Sequence, residues 1–291
     1  MHHLLAVVDH TEAAARVLRV AARWAQRAGA KLSVFMPVTA QPPEGLHLGP
    51  GLLASVEHSS QMEGEDWLAD FLAKLQLEAT THVASGHSWV EAIEHEIERQ
   101  QPDMVFISPE MAPKAAYWKK LLRQVACPLY VVHQDVLPQR FRVALSCLPD
   151  DAEHQVLNEA LLGWAQRLVQ LWQGEFWVSC ALPSPLELAP MMGETYAVGY
   201  VEEEMHSTLR AGMIELLQAH GIAAEKLISG QGSVEAVLTQ QQAQQAVDCL
   251  LMGTVGRRSL TAFLTGNSAE QLEKRLPCDL LILHAQDLQE D

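Results

Sequence analysis

Residues 253–268 read GTVGRRSLTAFLTGNS, three glycines spaced G-x2-G-x9-G with Arg257 and Arg258 adjacent between the second and third. Gly253 and Gly256 are free to adopt positive φ and to let the backbone come close to a ligand. Gly266 stands just before a helical pattern that begins at Asn267, and the unpaired amides of a helix start form an anion site. Asn267 and Ser268 add side-chain hydrogen bonds at that cap, while Arg257 and Arg258 add positive charge or, alternatively, pair with acidic residues. The chemistry this composition suits is a phosphate cradled by backbone N–H groups. Catalysis is not indicated. There is no lysine within a G-x4-G-K-[ST] loop, no nucleophile elbow and no pair of carboxylates at a recognisable spacing. Any ATP hydrolysis would be slow and incidental without a positioned base. Thirteen histidines include no H-E-x2-H or Cys/His zinc spacing, so no metal site is expected. His2 and His3 read as a mobile terminal pair.

The elements that would carry such a loop are written twice. WAQR occurs at 24–27 and 164–167, SGHSWVEAI at 85–93 answers SGQGSVEAV at 229–237, and CPLYVVH at 127–133 answers CDLLILH at 278–284. The matches keep their order, as one ancestral module in tandem would. Each copy alternates strand and helix signals. The first runs LLAVVD, a helix over 12–29 capped by Thr11 and closed by Gly29, LSVFMPV, a helical stretch over 58–77, ATTHVAS, VEAIEHEIERQQ, MVFIS and PLYVVH. The second runs FRVALS, a helix over 151–170, EFWVSCA, EKLIS, a helix over 233–246, CLLMG, a helix from Asn267 and DLLILH. Strands and helices in single file predict an α/β fold: two tandem, doubly wound domains of five parallel strands, 1–136 and 137–291. Trp24 and Trp164 are repeat equivalents and are expected in the core. Cys127 and Cys278 are also equivalent and are expected to be small buried hydrophobes. QQQAQQ at 240–245 reads as a polar helix face.

The formal net charge of −16 excludes nucleic acid and anionic membrane as primary partners. No run approaches the roughly 20 apolar residues of a membrane span, and MHHLLAVVDH reads as a first strand rather than a signal peptide. Five cysteines without a C-x2-C pair point to reduced, buried thiols and a cytoplasmic protein.

The glycine loop after a fourth strand, followed by a helix and a C-[PD]-L-L-I-L-type fifth strand, resembles the universal stress protein family in its tandem, two-domain form. The resemblance covers the whole chain and is clearest in GTVGRRSLTAFLTGNSAEQLEKRLPCDLLIL. It implies a cytoplasmic stress-response role without catalysis and, as in many members, binding of ATP or another adenine nucleotide. The family's site also needs an aspartate at the end of the first strand. The first copy has Asp9 there but has lost the loop: Ser108 to Cys127 spans 19 positions, Gly253 to Cys278 spans 25, and SPEMAPKAAYWKKLL has no glycine. The second copy keeps the loop but places Ser146 where Asp9 stands, and Asn267 where the family has Ser or Thr. Losing one charge-assisted hydrogen bond costs about 1.5–3 kcal/mol. The expected small-molecule site is therefore weakened and lies in the second domain. Two alternatives stay open. Met191, Met192, Tyr196 and Tyr200, in the stretch 181–205, could line a cleft for an apolar or lipid-like ligand, or only roof the domain or meet the other one. The chain could also be an adaptor that binds protein partners with no ligand. The duplication further predicts a monomer whose domains pair about a pseudo-twofold axis, with a further dimer left open.

Overall fold

Short runs of Val, Leu, Ile and Phe that are apolar at consecutive positions suit strands covered on both faces. Residues 4–7, 104–107 and 280–283 are buried throughout. A computed structural model describes residues 1–39, 49–85, 88–111, 120–121, 125, 127–147, 152–183, 198–254 and 276–284. The described residues group into two compact units, Met1–Leu137 and the residues from Pro138 onward.

In the first unit the strands are β1 (His3–Val7), β2 (Lys31–Val38), β3 (Thr80–Ser85), β4 (Met104–Ile107) and β5 (Leu129–Val131), with helices α1 (Ala13–Ala28), α2 (Pro50–Leu75) and α3 (Trp89–Gln100). In the second they are β6 (Arg140–Leu145), β7 (Glu175–Leu182), β8 (Leu227–Gln231), β9 (Cys249–Thr254) and β10 (Asp279–His284), with α4 (Ala152–Trp172), α5 (Val198–Ala219) and α6 (Val234–Gln244). The strand orders are 3-2-1-4-5 and 8-7-6-9-10, and the neighbouring strands pair in parallel. Each unit is thus the doubly wound α/β sheet expected from the alternating pattern.

The helix ends show local chemistry at work. Gly29 closes α1 at φ 65°, its N–H turned back to the carbonyls of Ala25 and Gln26. Thr11 does not cap that helix, which follows Glu12 without a side-chain cap. Its hydroxyl donates instead to Asp9 at 2.6 Å, a charged acceptor that outcompetes the helix amides. Helix α2 starts at Pro50, earlier than the expected 58, because proline suits the first helical position. Helix α5 begins within the stretch 181–205.

Two aspartates fix the first strand of each unit. Asp103, just before β4, accepts the N–H groups of His2 and His3, the latter at 2.9 Å. Asp248, just before β9, accepts those of Gln139 and Arg140 at 3.0 and 2.9 Å, and the Arg140 guanidinium at 2.8 Å. The N-terminal histidines are therefore tied down rather than mobile, and the His3 ring also reaches Ser33 at 2.8 Å. Burial alone would raise both carboxyls, but these donors hold them below their ordinary value.

Other polar groups are buried with partners. Glu96 in α3 is 3% exposed. Burial pushes its carboxyl up, yet hydrogen bonds from Arg99 and Gln100 and the nearby His82 hold it below the ordinary range. The glutamine run is partly internal: Gln241 bonds Ser179 and the Ile228 carbonyl, while Gln242 pairs with both the N–H and C=O of Val247. All five cysteines are free and buried. Trp24 is buried against Phe106 and Tyr130, but Trp164 is only half-buried, with Arg167 over its ring at 4.8 Å. The reason is register. The buried residues Val17, Leu18, Ala21 and Trp24 of α1 answer Leu161, Leu162, Ala165 and Leu168 of α4. The true equivalent of Trp24 is therefore Leu168, one helical turn beyond the WAQR match.

Replacing Asp248 by Ala should cost about 2 kcal/mol in urea unfolding, since two strand amides lose a charged acceptor. A carboxyl held low in the folded state stabilises above its unfolded value, near 3.8, and that contribution is lost as pH falls through the folded value. The penalty of Asp248→Ala should accordingly shrink below about pH 4. A penalty that is the same at low pH would contradict the clamp.

Candidate functional site

In sheets of this order a ligand crevice opens beyond the C-terminal ends of the strands where the order reverses. That point lies between β1 and β4 in the first unit and between β6 and β9 in the second. The clamps relate His3 to Arg140, and the same offset relates Asp9 to Ser146.

Ser146 follows β6 directly. Its N–H donates to Asn158 Oδ1 at 3.1 Å and its carbonyl accepts from Asn158 Nδ2 at 2.7 Å. Asn158, 5% exposed in α4, thus holds both sides of that residue's backbone. Gly253 lies in β9 opposite Leu283 and, against expectation, is not among the positive-φ glycines of the described residues. Its missing side chain serves packing: a Cβ would stand 2.1 Å from Leu157 Cδ2. Leu157 and Asn158 together dock the start of α4 onto the ends of β6 and β9. Neither stood out in the sequence, although an asparagine on the inner face of an apolar helix is a signal that could have been followed. The first unit has Ala13 and Ala14 at the matching positions.

The corresponding corner of the first unit is built differently. Asp9 Oδ1 accepts from both the N–H and the hydroxyl of Thr11. Arg16 of α1 donates to both carboxylate oxygens of Glu110 at 2.7 Å. Glu110 belongs to the 3-10 turn Pro109–Met111, where the second unit has its glycines. Further along α1, Arg19 and Arg23 share Asp135. Arg16 is thereby neutralised beside the switch point, and Arg19 and Arg23 further down the same helix. His284 ends β10 and His133 lies two residues beyond β5, and burial pushes both down to about 4.

Gly256, Arg257, Arg258, Gly266, Asn267, Ser268, Met191, Met192 and Tyr196 lie outside the described residues. Tyr200 falls in the first turn of α5, with its side chain outside them. Ser146 and Gly253 are brought together at the crevice. Among the described residues there is no group of three metal-ligating side chains, and no helix is long and apolar enough to cross a membrane.

The profile of the Universal stress protein family matches residues 1–110 and 152–284. The chain belongs to the universal stress protein family, stress-response proteins whose domain it carries twice. Among individual relatives it is similar to universal stress protein E of Salmonella typhi, 25% identical over an alignment of 307 positions that covers 99% of this chain and 95% of that one. The universal stress protein E homolog of Haemophilus influenzae is 26% identical over 223 residues, 73% of this chain and 72% of its own. The fold matches a universal stress protein from Archaeoglobus fulgidus with a TM-score of 0.65 at 15% identity, over 97% of this chain and 96% of that one. A protein from Pseudomonas aeruginosa UCBPP-PA14 matches at 0.66 and 19% identity, over 99% and 95%.

Two outcomes follow from this geometry. Gly253→Ala should destabilise the protein by about 1–3 kcal/mol through overpacking against Leu157. Combining it with Leu157→Ala should restore part of that loss, giving a coupling of at least about 1 kcal/mol in a double-mutant cycle. Simple additivity would show that the contact is not the cause. Separately, a histidine held neutral in the fold but protonated when unfolded withdraws stability as pH falls from 6.5 towards 4. The melting temperature should therefore drop as pH falls from about 6.5 to about 4, and less steeply in His284→Gln. An identical slope in the variant would remove His284 from the explanation.

Proposed function

We propose that the chain is a non-enzymatic stress-response protein whose C-terminal half, 137–291, binds ATP or another adenine nucleotide in a weakened site. The N-terminal half, 1–136, serves as scaffold. The asymmetry between the two switch points supports this reading most directly. In the first half the Arg16–Glu110 ion pair stands where a phosphate loop would begin. In the second, the sequence retains G-x2-G-x9-G with Arg257 and Arg258. Ser146 and Gly253 there stand at the end of a wall braced by Asn158 and Leu157. Phosphate would lie against the amides following Gly256 and Gly266, near Asn267 and Ser268, with no positioned base to hydrolyse it. Ser146 offers a hydroxyl where a carboxylate would bind more strongly, which is the weakening. Ligand occupancy would then govern contacts with protein partners in the cytoplasm.

Calorimetry with ATP and AMP on the purified chain should give a single site with a dissociation constant of about 0.1–1 mM. Gly256→Val should abolish it, and Ser146→Asp should tighten it about tenfold by supplying a charged acceptor. No heat at millimolar nucleotide, or binding that survives Gly256→Val, would overturn the proposal.

A further inference from the structure

The repeated segment SGQGSVEAV at 229–237 contributes nothing to the crevice just described, yet it shapes another one. Gly230 sits in the middle of β8, and a Cβ there would come within 2.8 Å of Val237 Cγ1. The glycine therefore lets α6 press onto one face of the strand. Because side chains alternate, Ser229 and Gln231 turn to the opposite face. There they join Leu182, which pairs with Gln231 across β7 and β8. Helix α5 lies over this face, and a cavity of about 570 Å³ remains between them, within the size range of small-molecule sites.

The lining mixes polar and apolar surface and carries one acidic and one basic side chain. From α5 it includes Glu203, His206, Ser207 and Arg210, which recur on one helix face. His206 is the fixed element, 8% exposed. Its Nε2–H donates to the Pro183 carbonyl at 2.9 Å, so Nδ1 is the acceptor for the Gln231 amide at 3.2 Å. That bond presets Gln231, whose other amide positions make no bond among the described residues. Glu203 and Arg210 form no ion pair with each other or with any other described residue. Seven residues apart, they stand about 10 Å from one another along the helix axis. A negative end, a positive end and a floor of uncharged hydrogen-bonding groups are what a dipolar guest requires. They are poorly suited to a lipid tail, and the carboxylate disfavours a polyanion.

We propose that this cavity is a second ligand site, independent of the nucleotide reading, that takes a short peptide-like zwitterion. Arg210 holds the guest's carboxylate and Glu203 its ammonium, while Ser207, Ser229 and Gln231 meet the amides between. The two charges of such a guest lie several ångströms apart, which the helix spacing and the two long side chains accommodate.

The probe is triglycine, titrated into the full-length protein by calorimetry and by amide chemical-shift mapping. Saturable binding is expected, with shifts in residues 203–210 and 229–231. Arg210→Gln and Glu203→Gln, both conservative changes at exposed positions, should each weaken it about tenfold or more. N-acetyl-triglycine amide, uncharged at both ends, should not bind. Gly256→Val should leave triglycine binding intact, which separates this site from the nucleotide loop. Absence of saturation at about 10 mM triglycine, far weaker than a useful site, would overturn the proposal. So would equal binding of the blocked peptide, insensitivity to both substitutions, or loss in Arg210→Gln alone, which would mark a simple anion site.

Discussion

The fold of each half depends on one carboxylate at the bottom of its sheet. Asp103 and Asp248 precede the fourth strand of their units and take the amides at the start of the first strand. Parallel strands β1 and β4, or β6 and β9, come from distant parts of the chain, and closing so long a loop costs entropy. A charged acceptor that captures two successive amides sets the register between them. The position of Ser146 relative to Gly253, some six residues further up the sheet, is inherited from that register.

With identical foundations, the halves diverge at the strand tops. The first fills its switch point from within: Arg16 meets Glu110 and Asp9 is occupied by Thr11, while Arg19 and Arg23 meet Asp135 further along the same helix. Surface ion pairs of this kind add little stability one at a time. Their consequence is that cations and carboxylates beside the crevice are already engaged with each other. The second half spends its contacts on the wall of the crevice, through Leu157 under Gly253 and Asn158 around Ser146.

The fold class and the succession of strands and helices along the chain were legible because strands buried on both faces leave consecutive apolar runs, as in MVFI and LLILH, while amphipathic helices leave periodic ones. The two copies differ in length after their fourth strands, which is read from the sequence alone. What escaped were features set by tertiary contact. Thr11 looked like a helix cap until Asp9 competed for it. Trp164 matched Trp24 in letters, but a four-residue shift moved it off the buried face. Gly253 suggested backbone freedom, whereas the space beside its Cα belongs to a leucine from a helix more than ninety positions earlier. Asn158 was marked only as a polar residue on the inner face of an apolar helix, a signal that does not name its partner, which is the backbone of another segment. Single glycines announce that a side chain is missing without saying what takes its place.

That ambiguity also bears on the two sites proposed for the second half. A glycine within a strand brings a helix close on one face and leaves its neighbours facing the other way. Gly253 draws α4 onto the crevice end of β9, and Gly230 draws α6 onto β8. In the second case the displaced polar residues, Ser229 and Gln231, meet a helix that does not close over them. The pleat of a parallel sheet thus separates packing from presentation residue by residue. A duplicated domain can therefore keep its core while its strand ends take on separate polar work.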